Sequence, residues 1–179
     1  MRKGVDRGAG GGDRRNRSGL GGRGVSAAFM GVFTNKVDSK GRVSVPAPFR
    51  AAIGRGGFQG IVAMRSIRDG VDAIEAFAHD TMSRLAANLT EPFAPSGDIA
   101  GGLFMEAIEV PFDSEGRIVL PDALRTFAHV GDSALFLGRG PYFHIWEPDA
   151  GNAYRERLFQ QLRAERDKLN LSLKGSGGA

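Results

Sequence analysis

One fourteen-residue segment occurs twice. Residues 37–50 read VDSKGRVSVPAPFR and residues 112–125 read FDSEGRIVLPDALR, aligned without gaps at an offset of 75 positions. Six of the fourteen positions are identical: Asp38/Asp113, Ser39/Ser114, Gly41/Gly116, Arg42/Arg117, Pro46/Pro121 and Arg50/Arg125. Four more pairs are apolar in both copies: Val37/Phe112, Val43/Ile118, Val45/Leu120 and Phe49/Leu124. A repeat that keeps turn, strand and helix signals together restricts the chain to folds that use one small supersecondary unit twice.

Each copy spells out the same local structure. Asp38 and Ser39 carry side-chain oxygens that close turns, and Gly41 supplies a positive φ. A tight hairpin is therefore expected between a strand ending near Val37 and one starting near Arg42. Val43 and Val45 alternate with Ser44, so one face of the second strand is buried. Pro46 has no N–H to donate and stops the ladder. A short helix over Ala47 to Ile53 then turns Phe49 and Ile53 inward, four positions apart. Arg117 to Phe127 repeats the pattern, with Asp122 beside Pro121 marking the helix start.

Strand signals follow each short helix: Gly60–Met64 and Val71–Phe77 in the first copy, Ala134–Leu137 and Tyr142–Trp146 in the second. Each copy ends in a helix, near Asp80–Leu89 and Asp149–Leu173. Tyr154, Leu158, Leu162, Leu169 and Leu173 form one apolar stripe on the last, a face for packing on the sheets or on a partner. The order per copy is strand, strand, helix, strand, strand, helix. The expected division is a tail over 1–29, a first unit over 30–89, a connection over 90–103 with two prolines and three glycines, and a second unit over 104–174.

Charge location matters more than the pI of 9.8. Residues 1–29 hold nine glycines and seven Arg or Lys against Asp6 and Asp13, a net of +5, whereas the whole chain is +4. The remainder is therefore near −1. The tail lacks the apolar residues needed to offset its ordering entropy and is expected to be disordered. It reads either as a solvated extension, an upstream start or a vector remnant, or as a basic arm touching phosphates. Its Gly19-Leu20-Gly21-Gly22-Arg23-Gly24 matches G-x-G-x-x-G in form only, since no strand precedes it and no helix follows. Met30 is a natural start for the folded region.

Several classes are excluded or left without apparatus. With no cysteine there is no disulfide, thiolate chemistry or Cys-bound zinc. No apolar run is long enough for a membrane span, and the basic N-terminus lacks the apolar core of a secretory signal. His79, His129 and His144 are scattered, without zinc-binding spacing, and His144 lies in an aromatic strand where packing is the ordinary role. Neither a nucleophile elbow nor a phosphate-binding Gly-Lys-Ser/Thr loop is present. No enzymatic activity, metal, cofactor or small-molecule substrate is expected.

Arg42 and Arg117 stand just past a glycine at a hairpin tip, and Lys40 precedes that glycine in the first copy. Such a hairpin holds cations at a fixed height, and the guanidinium fork suits phosphate or guanine O6/N7. The same residues also fit an internal Asp38–Arg42 ion pair closing the turn. The two readings are compatible.

At these residues the chain resembles the MraZ family of the SpoVT-AbrB superfamily. The likeness rests on the doubled Asp-x-x-x-Arg signature and extends to GVFTNKVDSKGRVSVPAPFR, IEVPFDSEGRIVLPDALR and GRGPYFHIWEPDA, about 150 of the 179 residues. It implies an α+β fold of two tandem SpoVT-AbrB-like β-barrel units of the swapped-hairpin type, forming a pseudo-dimer with a helix after each unit. It further implies a transcriptional regulator that binds direct repeats of double-stranded DNA ahead of the division and cell-wall gene cluster, its own promoter included. A ring-shaped homo-oligomer in the cytoplasm, at the nucleoid, goes with that. DNA contact carries over to Lys40 and Arg42, with Lys36 and Asn35 on the strand leading in. Glu115 replaces Lys40 in the second copy and would repel phosphate, so Asp113, Gly116 and Arg117, like Asp38 and Gly41, are expected to serve structure or assembly. The alternatives are an antitoxin of the same superfamily, which would bind a toxin as well as its operator, and a ring-forming protein without a DNA role.

Overall fold

A computed structural model describes residues 29–54, 57–89 and 97–166. In chain order the elements are β1 (Val32–Lys36), β2 (Arg42–Ser44), α1 (Ala47–Ile53), β3 (Gly60–Arg65), β4 (Ile74–Phe77), α2 (His79–Leu89), α3 (Gly97–Glu106), β5 (Ile108–Pro111), β6 (Arg117–Val119), α4 (Asp122–Phe127), β7 (Ser133–Gly138), β8 (Phe143–Trp146) and α5 (Pro148–Glu165). The expected order of strand, strand, helix, strand, strand, helix holds in both copies, with α3 added between them.

Both Asp-Ser-x-Gly-Arg segments form tight turns, but the strands on either side of each turn part company. In the first copy they share an isolated bridge between Val37 and Val43 and no extended ladder. Beyond it, β1 pairs with β7 of the second copy, and β5 pairs with β3 of the first. The strands after the turns, β2 and β6, pair with each other. A six-stranded antiparallel sheet results, ordered β1-β7-β8-β4-β3-β5, together with a two-stranded ribbon, β2-β6. Exchanging the copies and reading the sheet from its other end gives the same order. The protein is thus α+β, with two tandem units interlocked about an internal pseudo-twofold axis. Its strands divide between an open sheet and a ribbon.

The four inner strands, β7, β8, β4 and β3, are buried on both faces, which explains their nearly unbroken apolar runs. Ile61, Ala63, Ile74, Ala76, Phe136 and Ile145 face a core closed on the other side by the ribbon and the two short helices, through Val43, Val45, Phe49, Ile118, Leu120 and Leu124. Phe49 is fully buried, with its ring 4.9 Å from Phe143 and 5.5 Å from Phe29. On the opposite face α5 covers Leu135, Leu137 and Trp146, while Val62 and Met64 pack with Met82, Leu85 and Phe104 from α2 and α3. Glu75 and His144 face each other in the register where β4 meets β8, both buried. His144 Nδ1 accepts from Trp146 Nε1 at 3.3 Å, which places this histidine in the packing.

Some boundaries differ from expectation for physical reasons. The core begins at Phe29, one residue inside the expected tail: it is 1% exposed and exchanges backbone hydrogen bonds with Gly140. Residues 1–28, and with them the disorder expected there, lie outside the described residues. The stretch read as a connection is helical over Gly97–Glu106, where Leu103 and Phe104 find an apolar surface and tertiary contact overrides the low helix propensity of Gly101 and Gly102. Strand β4 starts at Ile74, because the chain before it turns: the Val71 N–H donates to the Arg68 carbonyl at 3.2 Å and the Ala73 N–H to the Val71 carbonyl at 3.0 Å, while both side chains pack in the cluster beneath α5. On α5, Tyr154 is buried and Leu158 partly so, but Leu162 is exposed; Leu169 and Leu173 lie outside the described residues. Among the described residues no helix is long and apolar enough to cross a membrane.

Candidate nucleic-acid interface

The ribbon carries the two turns at its opposite ends. Val43 and Ile118 point into the core, so the alternation of a strand turns Arg42, Ser44, Arg117 and Val119 to the outer face. The register sets Arg42 opposite Val119 and Ser44 opposite Arg117. A two-stranded ribbon has the width that the major groove of B-DNA admits.

A single carboxylate organises each turn. Asp38 Oδ1 accepts from the backbone N–H groups of Lys40 and Arg42, both at 2.9 Å, and Oδ2 accepts from Arg42 Nε at 2.6 Å. The Gly41 N–H closes onto the Asp38 carbonyl at 2.9 Å, and Gly41 takes φ 75°, a left-handed value that a side chain resists. Asp113 repeats every one of these contacts with Glu115, Gly116 and Arg117. The ion pair between Asp38 and Arg42 is therefore real, and it engages only the Nε edge of the guanidinium.

What differs is the use of the remaining guanidinium nitrogens. Arg117 Nη1 lies 2.6 Å from Glu115 Oε2, so this arginine is held by two carboxylates. Among the described residues Arg42 has one carboxylate partner, Asp38, and its terminal nitrogens stay uncommitted. Lys40 is exposed beside it, and Lys36 is exposed at the end of β1. Counting Asp38, Lys40 and Arg42, the first turn carries +1; Asp113, Glu115 and Arg117 give the second −1.

Asn35 has one amide hydrogen engaged within the fold. Its side-chain amide donates to the Ser44 carbonyl at 2.7 Å, tying β1 to β2 where the two do not pair. Two kinds of residue escaped the sequence reading. Ser44 has no assigned role in the sequence, and in the fold it lies on the exposed face of the ribbon, in register with Arg117. Arg50 and Arg125 were visible as an identical pair but had no assigned place.

The turn carboxyls also set a pH dependence. The Arg42 backbone N–H is the main influence holding the Asp38 carboxyl below its ordinary value, helped by the Arg42 side chain and the Lys40 N–H and opposed by desolvation. Asp113 is lowered in the same way, first by the Arg117 backbone N–H and then by its side chain. A carboxyl whose folded value is depressed stabilises the fold above its unfolded value, and that contribution disappears as pH falls through the folded value. Asp38→Asn is therefore expected to be less stable than the parent protein at about pH 7 and to approach it at about pH 3. Denaturant titrations at the two pH values read this directly; an equal gap at both would show that the charge is irrelevant.

The chain is also similar to known proteins. Residues 103–171 match the family described as "MraZ protein, putative antitoxin-like". Over 157 residues the chain is 38% identical to the "Transcriptional regulator MraZ" of Parvibaculum lavamentivorans, covering 84% of this chain and 97% of that protein. It is 38% identical to the protein of the same name from Pelagibacter ubique, over 79% of this chain and 92% of that one. The one from Rickettsia rickettsii is 36% identical, over 70% and 85%.

Proposed function

The chain belongs to the MraZ family, and from that membership we propose that it is a DNA-binding transcriptional regulator, not an enzyme, that reads DNA chiefly with its first turn. The observation that carries the choice of turn is the unequal state of two otherwise matching arginines. Among the described residues Arg42 keeps its terminal nitrogens uncommitted beside exposed Lys40, while Glu115 neutralises Arg117. Free guanidinium nitrogens suit phosphate oxygens and guanine edges. Lys40 and Lys36 contribute contacts to phosphate, and Asn35 orients the strand that carries Lys36. Asp38 and Gly41 fix the first turn; Asp113, Gly116 and Arg117 do the same for the second and serve structure or assembly.

The target is a set of direct repeats upstream of the division and cell-wall gene cluster that includes the chain's own promoter. A single cationic turn on a near-neutral protomer gives weak contact. A ring of protomers in one orientation sets several such turns on one DNA, where effective concentration multiplies their effect. Repeats in the same direction match that arrangement better than a palindrome does. Titration of the full chain with its promoter duplex and with a scrambled duplex, followed by sedimentation of free and bound protein, tests the reading. Preference for the promoter by an assembled species supports it. Equal affinity for both duplexes, or monomers throughout at micromolar concentration, overturns it.

A further inference from the structure

Arg50 and Arg125 occupy equivalent places on the two short helices, and each reaches across the pseudo-twofold axis to the turn of the other copy. A Cβ added to Gly41 would meet Arg125 Nη1 at 2.9 Å and the Leu120 carbonyl at 3.5 Å. A Cβ added to Gly116 would meet Arg50 Nε at 2.6 Å. The same corners also hold the glycines through the backbone: Leu120 N–H donates to the Gly41 carbonyl at 2.9 Å, and Val45 N–H to the Gly116 carbonyl at 3.2 Å. Each turn glycine is thus gripped by the strand–proline–helix corner of the opposite copy. The absence of a side chain at Gly41 serves two ends, the positive φ and the space for Arg125.

Arg125 is placed to act by packing. Among the described residues its buried Nε has no hydrogen-bond partner, and its ion pair to exposed Asp122 is long, at 3.8 Å. Arg50, by contrast, also donates to the Val45 carbonyl within its own copy. A flat guanidinium laid against Gly41 limits rocking of the turn tip, which carries Lys40 and Arg42. Fixing a contact loop before binding removes ordering cost from the binding step.

We propose that Arg125, in the copy that does not face DNA, is the positioning residue for the DNA-facing turn, and that Arg50 does the same for the second turn. The DNA part of this assignment rests on the reading that Arg42 and Lys40 contact DNA; the bracing part does not. The second copy then takes part in recognition without touching the target.

Amide hydrogen exchange on the full chain without DNA, together with titration against the promoter duplex, tests the proposal. In Arg125→Ala the amides of Lys40, Gly41 and Arg42 should exchange about tenfold faster, those of Glu115, Gly116 and Arg117 should not change, and affinity should fall about tenfold. Arg50→Ala should show the mirror pattern in exchange and leave affinity unchanged. Arg125→Met keeps the aliphatic stem, and serves for the same readouts where the alanine variant does not fold. Unchanged exchange at residues 38–42 overturns the brace, as does faster exchange with full affinity. Lower affinity with unchanged exchange, and a salt dependence shallower by one charge, would make Arg125 a direct phosphate contact instead. If Arg42→Ala binds as the parent does, the DNA assignment fails, whatever the exchange shows.

Discussion

Arg42→Ala should lose promoter recognition while remaining folded and assembled. The substitution removes the turn arginine whose terminal nitrogens are uncommitted among the described residues. A well-placed bidentate arginine contact is worth about 1–3 kcal/mol. In an assembly that sets several turns on one DNA, such losses accumulate from protomer to protomer. Binding to scrambled DNA should fall less, because other cations still meet phosphate. The fold should survive, since Arg42 lies on the outer face of the ribbon, although Asp38 loses its Nε partner at 2.6 Å. Asp38 keeps the two backbone N–H bonds that define the turn. The parallel change Arg117→Ala should alter DNA affinity little. Titration of both variants against promoter and scrambled duplexes decides the matter, with unchanged promoter affinity in Arg42→Ala counting against the site.

The second large effect concerns stability. Phe49→Ala should cost about 3–5 kcal/mol, the range for emptying a buried aromatic position. Phe49 has no exposed surface, and its ring meets Phe29, Phe33 and Phe143 at centroid distances of 4.9–5.5 Å. Those partners come from the chain's first described residue, from β1 and from β8, so the cavity opens where both copies contribute. Strand exchange makes that loss common property: β1 is held by β7, and β5 by β3. Thermal unfolding should therefore shift down by roughly 10 °C as one transition. Two separable transitions, with the second copy unmoved, would contradict a shared core.

The turns, the alternation of Val43, Ser44 and Val45, the proline stops and the short helices were legible because their causes are local. The pairing of β1 with β7 was not. Nothing in Val32–Lys36 says whether the strand returns to its own copy or crosses to the other, since either partner offers the same backbone ladder. The resemblance, not the residues, supplied the exchange. The facing of Glu75 and His144 was hidden for another reason. Eight residues join β3 to β4 but only four join β7 to β8, so the offset that aligns the turns no longer aligns the later strands. Phe29 is not legible as a core residue, because it sits at the edge of a glycine- and arginine-rich run with no apolar periodicity around it. At the site, the lysine-to-glutamate difference between the tips was plain in the sequence. Its consequence, a second carboxylate closing on Arg117, needed the geometry of the turn.

The two matching turns differ in charge and in the pairing of their arginines, and the proposed function gives DNA contact to the first alone. Amide exchange of the full chain with and without saturating promoter duplex measures this at both turns at once. Added protection is expected at Lys40, Gly41 and Arg42 on binding and none at Glu115, Gly116 and Arg117. Equal protection of the two turns, or protection of the second alone, would contradict it.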